Sequence, residues 1–301
     1  MLAQTFHSFS NSAIGLPASV ALHAAILGYL IAAVIGIAAL YAPAKVRMVW
    51  ADWTGGVATL ALVVYFGARV VESGVAPLQN MFEVVTASAL CLALAYFVST
   101  RLKPMPALGG FAYPALVGIF LVNLMLAGSL TGASAGEVAN PLIAVHVLLV
   151  VLAYGVFFMA AVAAWMFLIQ ERALKQRRNE GLVKHLPSLE SLRRLLHRTV
   201  LVGLPLLTVG FVLGFAAFPP SQWGALLATP KVLTSLVLWA VLLAAVVGRF
   251  TGWLHGRRHS YLVLLGFALV LLTYVGLGLF VREGGSPRQA AHARTDVCSG
   301  L

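Results

Sequence analysis

Acidic residues are scarce in this chain: nine Asp and Glu in 301 residues, against 20 Lys and Arg. Charged residues of both signs make up only 10% of the sequence, well under half the share of an ordinary globular protein, about 25%. Such a surface could not be solvated as a water-soluble fold. Cysteine is almost absent too. Cys91 and Cys298 stand alone, with no C-x-x-C or C-x-x-C-H run, which excludes a disulfide framework, a dithiol relay and a covalent heme attachment site. No apolar block alternates with a period of two, which excludes an outer-membrane barrel. No polar stretch is long enough to form a separate soluble domain.

What is abundant is apolar sequence, at 61% of residues. It falls into blocks near 18–41, 53–73, 80–100, 107–128, 141–169, 197–218, 230–250 and 260–281. About 20 residues of helix span a hydrocarbon core of ~30 Å, and a helix satisfies its own backbone in lipid. The expected fold is all-α, a polytopic membrane bundle of about eight transmembrane helices. One membrane domain over 1–284 and a disordered tail over 285–301 are expected.

The net charge of +11 is distributed by side. Lys45 and Arg47 follow the first block, and Arg101 and Lys103 follow the third. A run from Arg172 to Arg194 follows the fifth, and Arg249, Arg257 and Arg258 follow the seventh. The intervening loops hold almost nothing basic beyond Lys231. Positive loops face the cytoplasm, so both termini are expected on the extracytoplasmic side. The basic character marks topology, and without aromatic-basic interleaving it does not point to nucleic acid. The first block reads as a retained span, because Met1 to Ser19 carries no Lys or Arg and the apolar run is too long for a signal peptide. Pro187-Ser188 is positioned to cap a short basic helix ahead of the sixth span.

Polar groups at membrane depth are costly and are therefore candidate functional residues. His185, His197, His255 and His259 lie beside Arg or Lys at the cytoplasmic surface and read as interfacial anchors. His23 and His146 differ, each lying five or six residues into its span from the outer side, roughly 8–10 Å deep. Neutral imidazoles at one depth suit ligation of a metal or of both faces of a heme iron, or hydrogen bonding to a neighbouring helix. Arg69 and Glu72 end the second span, and Glu83 begins the third. Asn80 can cap that third helix, and Glu83 in its first turn is favoured by the helix dipole. Arg69 and Glu83 can therefore pair with each other, or Arg69 can face a ligand carboxylate such as a heme propionate.

The run Pro77-Leu-Gln-Asn80-Met-Phe-Glu83 resembles the P-L-x-N-[ML]-[YF]-E segment of the CcsA/ResC-type cytochrome c assembly proteins. His146-Val147 followed by Tyr154 is similar to the helix in that family whose histidine is regarded as a heme ligand. Gly203-Leu-Pro205 through Gly214, Gly252-Trp253, Gly256-Arg257-Arg258 and Thr273-Tyr274-Val-Gly276 continue the likeness. Three features depart from it, one being Val75-Ala76 where many members have a histidine just before P-L. The family loop W-G-x-x-W-x-W-D-P-K-E reads here Trp223-Gly224-Ala-Leu-Leu-Ala-Thr229-Pro230-Lys231, and the later H-S-Y segment is absent. These departures, with His23, bring the chain closer to the HemX/YpjD-like branch.

The resemblance implies a heme-handling protein of cytochrome c biogenesis, multi-pass in the bacterial inner membrane, binding or presenting non-covalent heme b near the outer face. His146 would ligate the iron, with His23 as its partner. Arg69, Asn80 and Glu83 would lie near the propionates, and Trp223 would remain from an aromatic platform. A ResB-like subunit and apocytochrome c would be its partners, and the chain would be at most the heme-presenting subunit of a synthase. The alternative is a non-catalytic regulator or scaffold in tetrapyrrole metabolism or a membrane complex. Small-solute transport would call for broken helices and a carboxylate at mid-span, and no span carries a central carboxylate.

Overall fold

The computed structural model describes residues 15–42, 44–74, 78, 81–125, 141–176, 186–254 and 256–284. Its long elements are eight helices: α1 (Leu16–Tyr41), α2 (Met48–Ser73), α3 (Met81–Leu102), α4 (Gly109–Met125), α5 (Pro141–Lys175), α6 (Leu189–Ala216), α8 (Pro230–Phe250) and α9 (Arg257–Gly284). A five-residue helix, α7 (Trp223–Leu227), lies between α6 and α8. Seven of the long helices are apolar enough over enough length to cross a membrane, and α9 spans 28 residues. The eight helices coincide with the eight apolar blocks, which makes the chain a polytopic helical membrane bundle.

One boundary differs. The short basic helix expected before the sixth span is continuous with that span, in a single α6 of 28 residues. Its N-cap is Ser188, whose hydroxyl accepts from the Ser191 amide, so the cap starts the membrane helix itself.

α3 and α5 are the most enclosed spans. α5 packs along α3, α6 and α9, while α1 packs along α2 and α4, and α8 joins α9 and α6. Without a hydrophobic drive between helices in lipid, close approach depends on small residues. Gly155 of α5 lies against Cys91 of α3, where a Cβ would come within 2.2 Å of the Cys91 Cβ. On α6, Gly210 meets Val150 and Gly214 meets His146, both on α5. The α5–α6 contact is therefore antiparallel, with α6 supplying the glycine at both points.

Helices consecutive in the chain alternate in direction, so the basic loops collect at one end of the bundle. Lys103, after α3, donates to the Ser191 hydroxyl at the start of α6, at 2.8 Å. The opposite end holds the N-termini of α1, α3 and α5 and the C-termini of α2 and α6. There α2 closes on Gly74, whose left-handed φ of 69° lets its amide bond the Val70 carbonyl.

Candidate functional site

The end of the bundle opposite the basic loops carries the described residues singled out in the sequence. His146 enters about one and a half turns into α5 and is half-buried. Its Nδ1 lies 2.6 Å from the carbonyl oxygen of Gly210. A carbonyl can only accept, so Nδ1 carries the proton and Nε2 the lone pair. A backbone carbonyl on one ring nitrogen is the usual means of fixing tautomer and orientation in a metal-binding histidine. Gly214, one turn further along α6, makes room for the ring: a Cβ there would lie 2.7 Å from Nδ1.

Trp223 converges on the same end of α6. The indole Nε1–H donates to the carbonyl of Phe215, in the last turn of α6, at 3.1 Å and to that of Phe218, just past its end, at 3.2 Å. Its ring meets Phe215 edge-on, with centroids 6.1 Å apart, and keeps 41% of its surface exposed. The carbonyls that hold His146 and Trp223 belong to Gly210 and Phe215, about 7–8 Å apart along the helix axis.

The charged residues form a second group. Arg69 donates through Nε and Nη2 to Oε1 of Glu83, at 3.1 and 2.8 Å, and Nη1 reaches Glu72 at 3.5 Å. The Glu83 side chain is only 2% exposed. Glu72 in turn accepts from the amide of Gly15, the N-cap of α1, at 3.1 Å, where a carboxylate complements the helix dipole. One network thus ties α2 to both α1 and α3. Of the two roles open to Arg69, the carboxylate pair is the one seen, and the guanidinium is engaged by protein acids. Asn80 lies outside the described residues.

His23 donates through Nδ1 to the Ser19 carbonyl one turn back, at 2.7 Å. It shares an end of the bundle with His146, but α1 and α5 are not packing neighbours. The structure therefore joins Arg69 to Glu83, sets His146 and Trp223 separately against the C-terminal end of α6, and places His23 on a helix that does not pack along α5.

Residues 78–282 match the family described as Cytochrome C assembly protein. The chain belongs to that family. Protein HemX of Brevibacillus brevis is 27% identical over 227 residues, covering 70% of this chain and 78% of its own. Cytochrome c biogenesis protein CcsA of Guillardia theta is 27% identical over 254 residues, covering 75% and 81%. CcsA of Gloeothece citriformis is 24% identical over 272, covering 74% and 82%. No solved structure matches significantly.

In this cytochrome c assembly protein the structure adds polar groups that the sequence did not bring forward. Asp52, on α2, accepts hydroxyl protons from Tyr96 of α3 and Tyr113 of α4. Asn123 donates to the buried Thr86 hydroxyl at 2.7 Å. Tyr65 is fully buried with its hydroxyl unpartnered. Nothing in their spacing announces the contacts, because each partner is a helix or more away in sequence.

His259 departs from its expected role. It is 2% exposed, not an anchor at the surface, because helical periodicity turns it inward while Arg257 and Arg258 face out.

Proposed function

We propose that this protein acts in cytochrome c biogenesis by holding heme at the end of the bundle opposite the basic loops. The observation that carries this reading is His146, whose Nδ1–H is spent on the Gly210 carbonyl, leaving Nε2 as a lone-pair donor suited to heme iron. Trp223, half-exposed and fixed to the end of the same helix, offers an aromatic face beside it. The donor set fits a heme: one oriented imidazole and one flat ring, both set by α6. His23, whose Nδ1 meets the Ser19 carbonyl, lies at the same end of the bundle and would be the second ligand of a heme lying between α1 and α5, which do not pack along each other.

Arg69 and Glu83 serve the frame. Their pair, with Glu72, fixes the ends of α1, α2 and α3, so the heme-facing end stays in register. When bound, heme b supplies the vinyl groups on which thioether bonds to apocytochrome thiols form. This chain has no C-x-x-C pair, so those thiols come with a second protein, apocytochrome c, delivered alongside a ResB-like subunit. The relatives named for CcsA support the assembly role. The setting is a bacterial cytoplasmic membrane, with the basic loops inside.

A second reading, a regulator or scaffold without heme, is favoured by the missing later tryptophans between Trp223 and Lys231 and by the HemX relative. Deleting the protein from its host and staining membrane proteins for covalent heme separates the two. The assembly reading predicts loss of c-type cytochromes, restored by the wild-type chain and not by His146→Ala. Unchanged c-type cytochromes in the deletion strain would favour the regulator.

A further inference from the structure

We infer that the basic end of the bundle carries a separate binding site for the phosphate of an anionic phospholipid, built from Arg249, His197 and His259. The three side chains come from α8, α6 and α9. The imidazoles of His197 and His259 meet edge to face with centroids 6.4 Å apart, and Arg249 is an electrostatic neighbour of both. Several of their buried nitrogens are without a hydrogen-bond partner. The buried Nε of Arg249 has no partner, nor does Nδ1 of His197. One nitrogen of the buried His259 ring faces the Ala245 carbonyl, and neither makes a hydrogen bond of normal geometry. Buried donors left in this state are costly.

What the cluster lacks is negative charge. Among the acids whose side chains are described, each is engaged elsewhere: Asp52 with two tyrosines, Glu72 and Glu83 with Arg69, Glu171 with Lys175, and Glu190 with Arg193 and Arg194. A guanidinium beside both rings disfavours a metal cation and favours an oxyanion. The planar fork of Arg suits phosphate. The location selects the source. Phe250, Trp253 and Tyr261 around the cluster are 70%, 73% and 49% exposed, an aromatic belt of the kind that sits at headgroup level. Basic pockets between membrane helices on that side hold anionic headgroups. The site lies at the other end of the bundle from His146 and does not depend on the heme reading.

The test is native mass spectrometry of the full chain in a neutral detergent. Phosphatidylglycerol, phosphatidylcholine of the same acyl chains, and inorganic phosphate are added in separate arms. The wild type retains one phosphatidylglycerol about five- to tenfold better than phosphatidylcholine. Arg249→Gln brings the two to parity, and the exposed Arg258→Gln keeps the preference. His197→Gln, on a half-exposed ring, lowers it as well and serves if Arg249→Gln fails to fold. Equal preference in wild type, Arg249→Gln and His197→Gln would overturn the site. An equal loss in Arg258→Gln would reduce it to diffuse surface charge. Displacement of the lipid by millimolar inorganic phosphate would make it a free-ion site and overturn the lipid assignment.

Discussion

Removing Glu83 tests the frame that holds the heme-facing end. In Glu83→Leu, Arg69 loses two short bonds to a carboxylate that is 2% exposed, and its contact with Glu72 at 3.5 Å remains. Breaking a buried pair by removing one partner costs about 3–5 kcal/mol, because the other charge is left uncompensated. Glu72 remains and the Arg69 side chain is 15% exposed, so the low end, about 3 kcal/mol, is expected. Replacing both groups by apolar ones, Arg69→Met with Glu83→Leu, removes the stranded charge. The double variant should therefore be less destabilised than the sum of its singles by about 2 kcal/mol or more. Equilibrium unfolding in mixed micelles, run as a double-mutant cycle, reads this directly. Single variants within about 0.5 kcal/mol of wild type, or strict additivity, would refute the claim that the pair joins α2 to α3.

Three further outcomes are expected. Gly214→Ala places a Cβ 2.7 Å from His146 Nδ1, so the ring must move; the variant loses about 1–3 kcal/mol in the same unfolding assay and binds hemin more weakly than wild type. Asp52→Ala strands the Tyr96 and Tyr113 hydroxyls and costs about 3 kcal/mol, whereas Asp52→Asn, which still accepts, costs less. Trp223→Phe keeps the ring and deletes the Nε1–H bonds to Phe215 and Phe218, worth about 1 kcal/mol, and should speed proteolytic cleavage between residues 217 and 229; cleavage at the wild-type rate would count against the clamp.

The membrane fold was legible in the sequence because the bilayer leaves few solutions. Apolar blocks of span length, with basic residues in alternate loops, already mark the eight helices. The Arg69–Glu83 pair was legible for a local reason: only 14 residues separate the two, so the end of one helix falls beside the start of the next. His146 was legible as a candidate by depth, but its partner Gly210 lies 64 residues on, beyond anything periodicity encodes. Asp52 escaped notice because it opens its helix, where a carboxylate reads as interfacial. His259 was misread because two exposed arginines precede it, and one further step around the helix turns the side chain from solvent into the core.

The most direct test of the heme assignment is the absorption spectrum of the purified full chain, oxidised and reduced, with and without added hemin, beside His146→Ala. The account predicts a Soret band with sharp reduced bands in the wild type, weakened and shifted in the variant. Spectra without such bands in both proteins after hemin addition, or identical bands in both, would contradict His146 as the iron ligand.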